Sequence, residues 1–142
     1  MLIGEFRHSL DAKGRIIIPS KIRESLGQSF VMTKGLEGCI SIYTLEQWDK
    51  IREKLDNLPF GSRESRAAQR FFYSNAVPCE YDKQGRLLIP QNLREYAGLE
   101  SEVQITGVSR RLELWNPERW DQYIEESVED PEALFESLEH VF

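Results

Sequence analysis

The chain has 142 residues, enough for one domain or two very small ones with a real core. It is 40% hydrophobic and 30% charged, and no apolar run approaches the ~18 residues of a membrane helix, so a soluble globular protein is expected. The net charge of −6 opposes nucleic-acid binding only until it is located: nine of the 24 acids but one of the 18 bases lie from Glu118 onward, leaving 15 acids and 17 bases in residues 1–117.

The opening "MLIGEFRHSL" carries Glu5 and Arg7 and lacks the apolar core of a signal peptide, so a cytoplasmic protein is expected. A strand, "IGEFRHSL", leads into the turn Asp11-Ala12-Lys13-Gly14, as in a hairpin with a bulge. There the Asp side chain can accept from backbone N–H groups ahead of it, and the Gly can take φ > 0. A second strand, "RIII", ends at Pro19. The short helix "SKIRESLG" follows, closed by Gly27 in the left-handed conformation, and then a hairpin of "SFVMT" with "CISIY". The helix "TLEQWDKIREKLDNL" opens with Thr44 and Gln47 at capping-box spacing, and Trp48, Ile51, Leu55 and Leu58 line one face.

"SRESRAAQRFFYSNA" predicts a bridging helix anchored by Phe71 and Phe72. The order then repeats: strand "AVPCEY", turn Asp82-Lys83-Gln84-Gly85, strand "RLLI", helix "QNLREYAG", hairpin of "EVQIT" with "RLELW". A helix "NPERWDQYIEESV" follows, capped by Asn116. The acidic tail ends with Leu134, Phe135, Leu138, Val141 and Phe142 at helical spacing, which predicts packing onto folded protein.

The chain is a duplication. With Asp11 on Asp82, eight of seventeen positions are identical, including Gly14/Gly85, Arg15/Arg86, Pro19/Pro90 and Arg23/Arg94. Average residue frequencies give roughly one match by chance. After one inserted residue, Ile40 answers Leu112, Ile42 answers Leu114, Tyr43 answers Trp115 and Trp48 answers Trp120. The predicted class is α+β, two interlocked β-rich units covered by helices. Residues 1–60 form the first unit with its trailing helix, 61–75 the bridge, and 76–142 the second unit with the acidic C-terminal helices.

Cys39 and Cys79 sit in apolar runs and are expected as buried thiols, and neither His8 nor His140 has a partner at ligand spacing. No nucleophile or phosphate-loop motif is present, so no enzyme, metal, cofactor or small-molecule substrate is expected. Turn chemistry accounts for Asp11, Gly14, Asp82 and Gly85, and burial for Ile16 to Ile18 and Leu87 to Ile89. It leaves Arg15 and Arg86 unexplained. Each arginine pairs with the Asp across its turn, or was copied by the duplication, or stands at the rim of a sheet beside Lys13 or Lys83. In the last case its planar fork suits phosphates and guanine edges. Lys21, Arg23 and Arg94 extend the candidate basic rim from the first turn of the short helices, with Glu24 and Glu95 weakening the local field.

At these residues the chain resembles the MraZ family, whose members carry two AbrB-like swapped-hairpin motifs. "LDAKGRIIIPSKIRE" and "YDKQGRLLIPQNLRE" are similar to its paired Asp-x-x-Gly-Arg signatures, and the likeness covers essentially the whole chain. The resemblance implies tandem AbrB-like units in a β-rich, barrel-like core. It also implies a bacterial transcriptional regulator of the division and cell-wall gene cluster, including its own gene. Such proteins are nucleoid-associated rings of many subunits that bind short repeated boxes of double-stranded DNA. It places Arg15, Arg86, Lys13, Lys83, Gly14 and Gly85 on the DNA-facing surface. Because Lys83 and Gln84 stand where the first turn has Ala12 and Lys13, unequal contacts from the two halves are expected. AbrB-like folds also serve as antitoxins whose acidic tails wrap a basic toxin, an alternative use for residues 118–142.

Overall fold

The computed structural model describes residues 1–139. His140, Val141 and Phe142 lie outside the described residues. Eight strands and six helices follow the predicted order. The first half comprises β1 (Leu2–Ser9), β2 (Arg15–Ile17), α1 (Ser20–Leu26), β3 (Ser29–Lys34), β4 (Ile40–Thr44) and α2 (Leu45–Asp56). Helix α3 (Arg63–Tyr73) joins it to β5 (Val77–Glu80), β6 (Arg86–Leu88), α4 (Gln91–Ala97), β7 (Glu102–Ser109), β8 (Arg111–Trp115), α5 (Pro117–Ser127) and α6 (Pro131–Glu136).

Strands β3 and β4 pair as a hairpin, as do β7 and β8. The leading strand of each half goes elsewhere: β1 pairs along its length with β7, and β5 pairs with β3. Each half therefore completes the other's sheet. The six-stranded order β1-β7-β8-β4-β3-β5 maps onto itself when equivalent strands of the two halves are exchanged, so the repeat folds about a pseudo-twofold axis. That axis runs between β4 and β8, where Ile40 faces Leu114 and Ile42 faces Leu112.

The barrel-like closure expected from the resemblance does not form. The large sheet is open, with β1 and β5 each paired on one side, and β2 and β6 pair only with each other in a separate two-stranded ribbon.

One core serves both halves. Ile16, Ile18, Ile22 and Leu26 meet Leu87, Ile89, Leu93 and Ala97, with Phe30, Met32, Ile105, Leu112 and Leu114 from the sheet. The glycine after each short helix has φ > 0, but only Gly98 is left-handed. Gly27 combines φ 86° with an extended ψ of −179°, because β3 begins just two residues later. Thr44 and Asn116 cap α2 and α5 through their side-chain oxygens, and each helix packs a tryptophan on the preceding strand's aromatic residue. The ring pairs are Tyr43–Trp48 at 6.0 Å and Trp115–Trp120 at 5.3 Å.

Three expectations change. Cys39 is buried, but Cys79 is half-buried. Burial pushes the Cys39 thiol up to about 12 and that of Cys79 to about 11, so both stay protonated at neutral pH. Ile17 and Leu88, expected in the core, are 52% and 56% exposed. In the tail every residue from Pro131 to Glu139 is exposed, and Val141 and Phe142 of its predicted apolar stripe lie outside the described residues.

Candidate nucleic-acid interface

Each Asp-x-x-Gly-Arg signature folds into the same closed turn. Asp11 Oδ1 accepts from the backbone N–H groups of Lys13 and Arg15, both at 2.9 Å, and Oδ2 accepts from Arg15 Nε at 2.7 Å. Asp82 Oδ1 accepts from Gln84 N at 2.9 Å and Arg86 N at 2.8 Å, and Oδ2 from Arg86 Nε at 2.6 Å. The backbone closes both turns identically: Gly14 N–H donates to Asp11 O, and Gly85 N–H to Asp82 O, each at 3.0 Å.

The Asp–Arg pair across the turn is therefore present in both halves. It does not use up the arginine. The bond runs through Nε, and among the described residues the Nη groups of Arg15 and Arg86 have no hydrogen-bond partner, while the side chains remain 25% and 29% exposed. A guanidinium held at one nitrogen is oriented at small entropic cost, with its outer edge available.

The backbone N–H groups of Arg15 and Arg86 are the main reason both carboxyls are held below the ordinary carboxylate range; the guanidinium bonds add to it. A depressed folded value means stability is present at neutral pH and is lost as pH falls through the ordinary value toward the folded one. Acidification from pH 6 to about pH 3 should thus loosen both turns. Thermal melting across that window should show a smaller pH dependence in Asp11→Asn/Asp82→Asn than in the parent. Equal pH dependence would show that the turns do not sense this ionisation.

Strands β2 and β6 pair antiparallel, with Arg15 opposite Leu88, Ile16 opposite Leu87 and Ile17 opposite Arg86. Strand side chains alternate, so Ile16 and Leu87 point into the core while Arg15, Ile17, Arg86 and Leu88 share the outer face. The ribbon presents two clamped arginines on one diagonal and two apolar residues on the other. A period-two reading of "RIII" and "RLLI" locates Ile17 and Leu88 on that face, which an unbroken apolar run conceals.

The other predicted residues divide into two sets. Lys13 and Lys83 are exposed at the turn tips, and Lys21 is exposed on α1. Arg23 and Arg94 are half-buried and cross the axis. A Cβ on Gly14 would lie 2.7 Å from Arg94 Cζ, and one on Gly85 would overlap the Arg23 guanidinium. Gly14 (φ 82°) and Gly85 (φ 76°) are required by the positive φ of the turn, and the arginine from the opposite half lies over each. Among the described residues Arg94 Nε is buried without a hydrogen-bond partner. Each turn gathers Lys and Arg of its own half with the second arginine of the other, so neither basic cluster exists within a single repeat.

No group of three or more His, Cys, Asp or Glu among the described residues could hold a metal ion, and no helix among them is long and apolar enough to cross a membrane.

A family model described as "MraZ protein, putative antitoxin-like" matches the chain twice, over residues 1–71 and 72–138. A protein of Acetivibrio thermocellus named transcriptional regulator MraZ is 51% identical over 138 residues, covering 97% of this chain and 96% of the relative. Relatives of the same name from Heliobacterium modesticaldum and Halothermothrix orenii are 49% and 50% identical; the latter alignment covers 97% of this chain and 99% of the relative. With both halves matched by the family model and close to half of all residues shared with such relatives, the chain belongs to the MraZ family, a family of transcriptional regulators and not of enzymes.

Proposed function

We propose that the chain is a sequence-specific regulator that binds double-stranded DNA through the outer face of the β2–β6 ribbon. The observation that carries this is the pair of Asp-clamped arginines, Arg15 and Arg86, aimed outward on one rigid two-stranded surface. A two-stranded ribbon is of a size the major groove admits, arginine forks match guanine edges, and Ile17 and Leu88 suit thymine methyl groups. Lys13, Lys83 and Lys21 supply phosphate contacts, and Gly14 and Gly85 let the turns close tightly; Arg23 and Arg94 support the turns from behind.

The target is the promoter of the division and cell-wall gene cluster, including the protein's own gene, in a cytoplasmic, nucleoid-associated setting. A mildly basic subunit neutralises few phosphates, so repeated boxes bound by a ring of copies raise affinity through effective concentration. The two halves act as units, residues 1–60 and 76–142 joined by 61–75. Mobility shifts on duplexes carrying one or three boxes from upstream of its own gene, at several salt concentrations, test the reading. A steep loss of affinity with salt and a strong gain from one box to three are expected. Equal affinity for scrambled DNA would overturn sequence-specific recognition.

One observation favours a second reading: the acidic α6 is exposed, as an antitoxin tail that wraps a basic toxin would be. That reading expects removal of residues 118–142 to abolish capture of a basic protein while the ribbon still shifts promoter DNA.

A further inference from the structure

Arg23 and Arg94 are half-buried cations without acids. Among the described residues neither guanidinium has a carboxylate within ion-pair distance, and Arg94 Nε is buried with no hydrogen-bond partner. Covering a cation without pairing it costs stability, and such breaches of the packing rules gather at working sites. Both side chains start from fixed points. Arg94 leaves α4 beside Leu93, and Arg23 leaves α1 beside Ile22, each neighbour buried in the common core.

What each guanidinium touches is the turn of the other repeat. Arg94 Cζ, Nη1 and Nε lie 2.7, 2.8 and 2.9 Å from the point that a Cβ on Gly14 would occupy, so the guanidinium plane faces the bare glycine. Arg23 Cζ and Nη1 crowd the same point on Gly85. The backbone repeats the crossing. Ile89 N–H donates to Gly14 O at 2.9 Å, and Ile18 N–H to Gly85 O at 3.5 Å. Ile89 and Arg94 are joined by Pro90 and the start of α4, so one segment of the second half grips Gly14 at two points. Gly14 is followed directly by Arg15, and Gly85 by Arg86.

We infer that Arg94 is the positioning residue for Arg15, and Arg23 the positioning residue for Arg86. Each guanidinium, laid flat on the turn of the opposite repeat, limits the motion of that turn and holds the outward-facing arginine where it meets a base edge. The pairing runs across the repeats: Arg94 shares a half with Arg86 yet governs Arg15. This deepens the ribbon reading above and rests on it.

Mobility shifts on a one-box promoter duplex at several salt concentrations test it through Arg94→Met, which keeps length and burial but removes the guanidinium. Arg94→Met should weaken binding about tenfold, within the worth of one guanidinium fork on a base edge. With Arg86→Ala already present the same loss should recur. With Arg15→Ala present the further loss should stay under about twofold, because independent sites add and a shared contact does not. Arg23→Met should show the mirror pattern, additive with Arg15→Ala and coupled to Arg86→Ala. A merely destabilised fold would weaken every background alike and overturn the inference. Arg94→Lys keeps the test open if the Met variant does not fold: it should bind as poorly as the Met variant, because it retains the charge without the plane. Binding rescued by lysine, with a salt slope lowered by about 0.9 in Arg94→Met, would make Arg94 a direct phosphate contact and overturn the positioning role. A parent without preference for promoter DNA, or an Arg15→Ala variant that binds like the parent, would overturn the ribbon reading and this inference with it.

Discussion

Replacing Gly107 with alanine should lower stability by about 3 kcal/mol, the upper end of the range for overpacking a close contact. Gly107 faces Gly4 in the β1–β7 pairing and Leu112 in the β7–β8 hairpin. A methyl group there would lie 2.5 Å from Ile3 N, 2.6 Å from Leu2 C and 2.7 Å from Ile3 Cα. These are backbone atoms of β1, so relief requires moving the strand. β1 is also how the first half completes the second half's sheet, and its displacement would loosen the exchange that makes one core of two repeats. For a chain of this length the loss corresponds to roughly 10 °C in Tm. Gly61 provides the contrast: nothing lies within 4 Å of its added Cβ, and its φ is not left-handed. Gly61→Ala should be neutral or stabilising by about 0.5 kcal/mol, through the unfolded chain. Thermal melting of both variants decides the matter. A Gly107→Ala protein melting within two or so degrees of the parent would show that β1 does not approach β7 this closely.

Arg15→Ala and Arg86→Ala should each weaken promoter binding by about 10- to 100-fold, the worth of one guanidinium fork on a base edge. Melting should change little, since a surface ion pair contributes under about 1 kcal/mol. Asp11→Ala separates the two roles of the clamp. It removes the acceptor for two backbone N–H groups as well as for Arg15 Nε, so it should lower Tm more than Arg15→Ala does. It should weaken DNA binding as well, because the guanidinium is then no longer held. If Arg15 served the turn alone, binding would fall only in proportion to melting in both variants. The clamps of the two halves have the same hydrogen bonds, so losses at Arg15 and Arg86 should agree within about threefold on a single box. The lysines differ, because Lys83 follows its Asp directly and Lys13 stands one residue later. Any inequality between halves should therefore appear in the salt dependence of Lys13→Ala and Lys83→Ala. An Arg86→Ala variant with unchanged affinity on one and three boxes would leave DNA contact to the first half.

Much of this protein is encoded in short stretches. The Asp-x-x-Gly turns, the caps at Thr44 and Asn116, the two hairpins and the duplication depend on residues a few positions apart. Local sterics and hydrogen bonding decide these before any tertiary contact forms. The paired aromatics Tyr43–Trp48 and Trp115–Trp120 are legible for the same reason, since each joins a strand to the helix that follows it. The alternation that exposes Ile17 and Leu88 is local as well, but three-residue strands are too short to reveal their period without a partner.

What each strand pairs with is not a local property. β1 could in principle fold back on β2, yet it crosses to β7, and β5 crosses to β3, because that arrangement buries both apolar strand sets in a single core. The same exchange brings β2 beside β6, so that Arg15 and Arg86, 71 positions apart, stand on one face. It also lays Arg94 over Gly14 and Arg23 over Gly85, so residues that read as one exposed helix face lie half-buried against the opposite turn. Helix α6 differs again. From Pro131 to Glu139 every residue is exposed, and Val141 and Phe142 of the predicted apolar stripe lie outside the described residues. Sequence alone determined the turns, the helices and the repeat, because those forces act over a few residues. Only tertiary structure decided which surface the two repeats make together, because that depends on contacts between residues far apart in the chain.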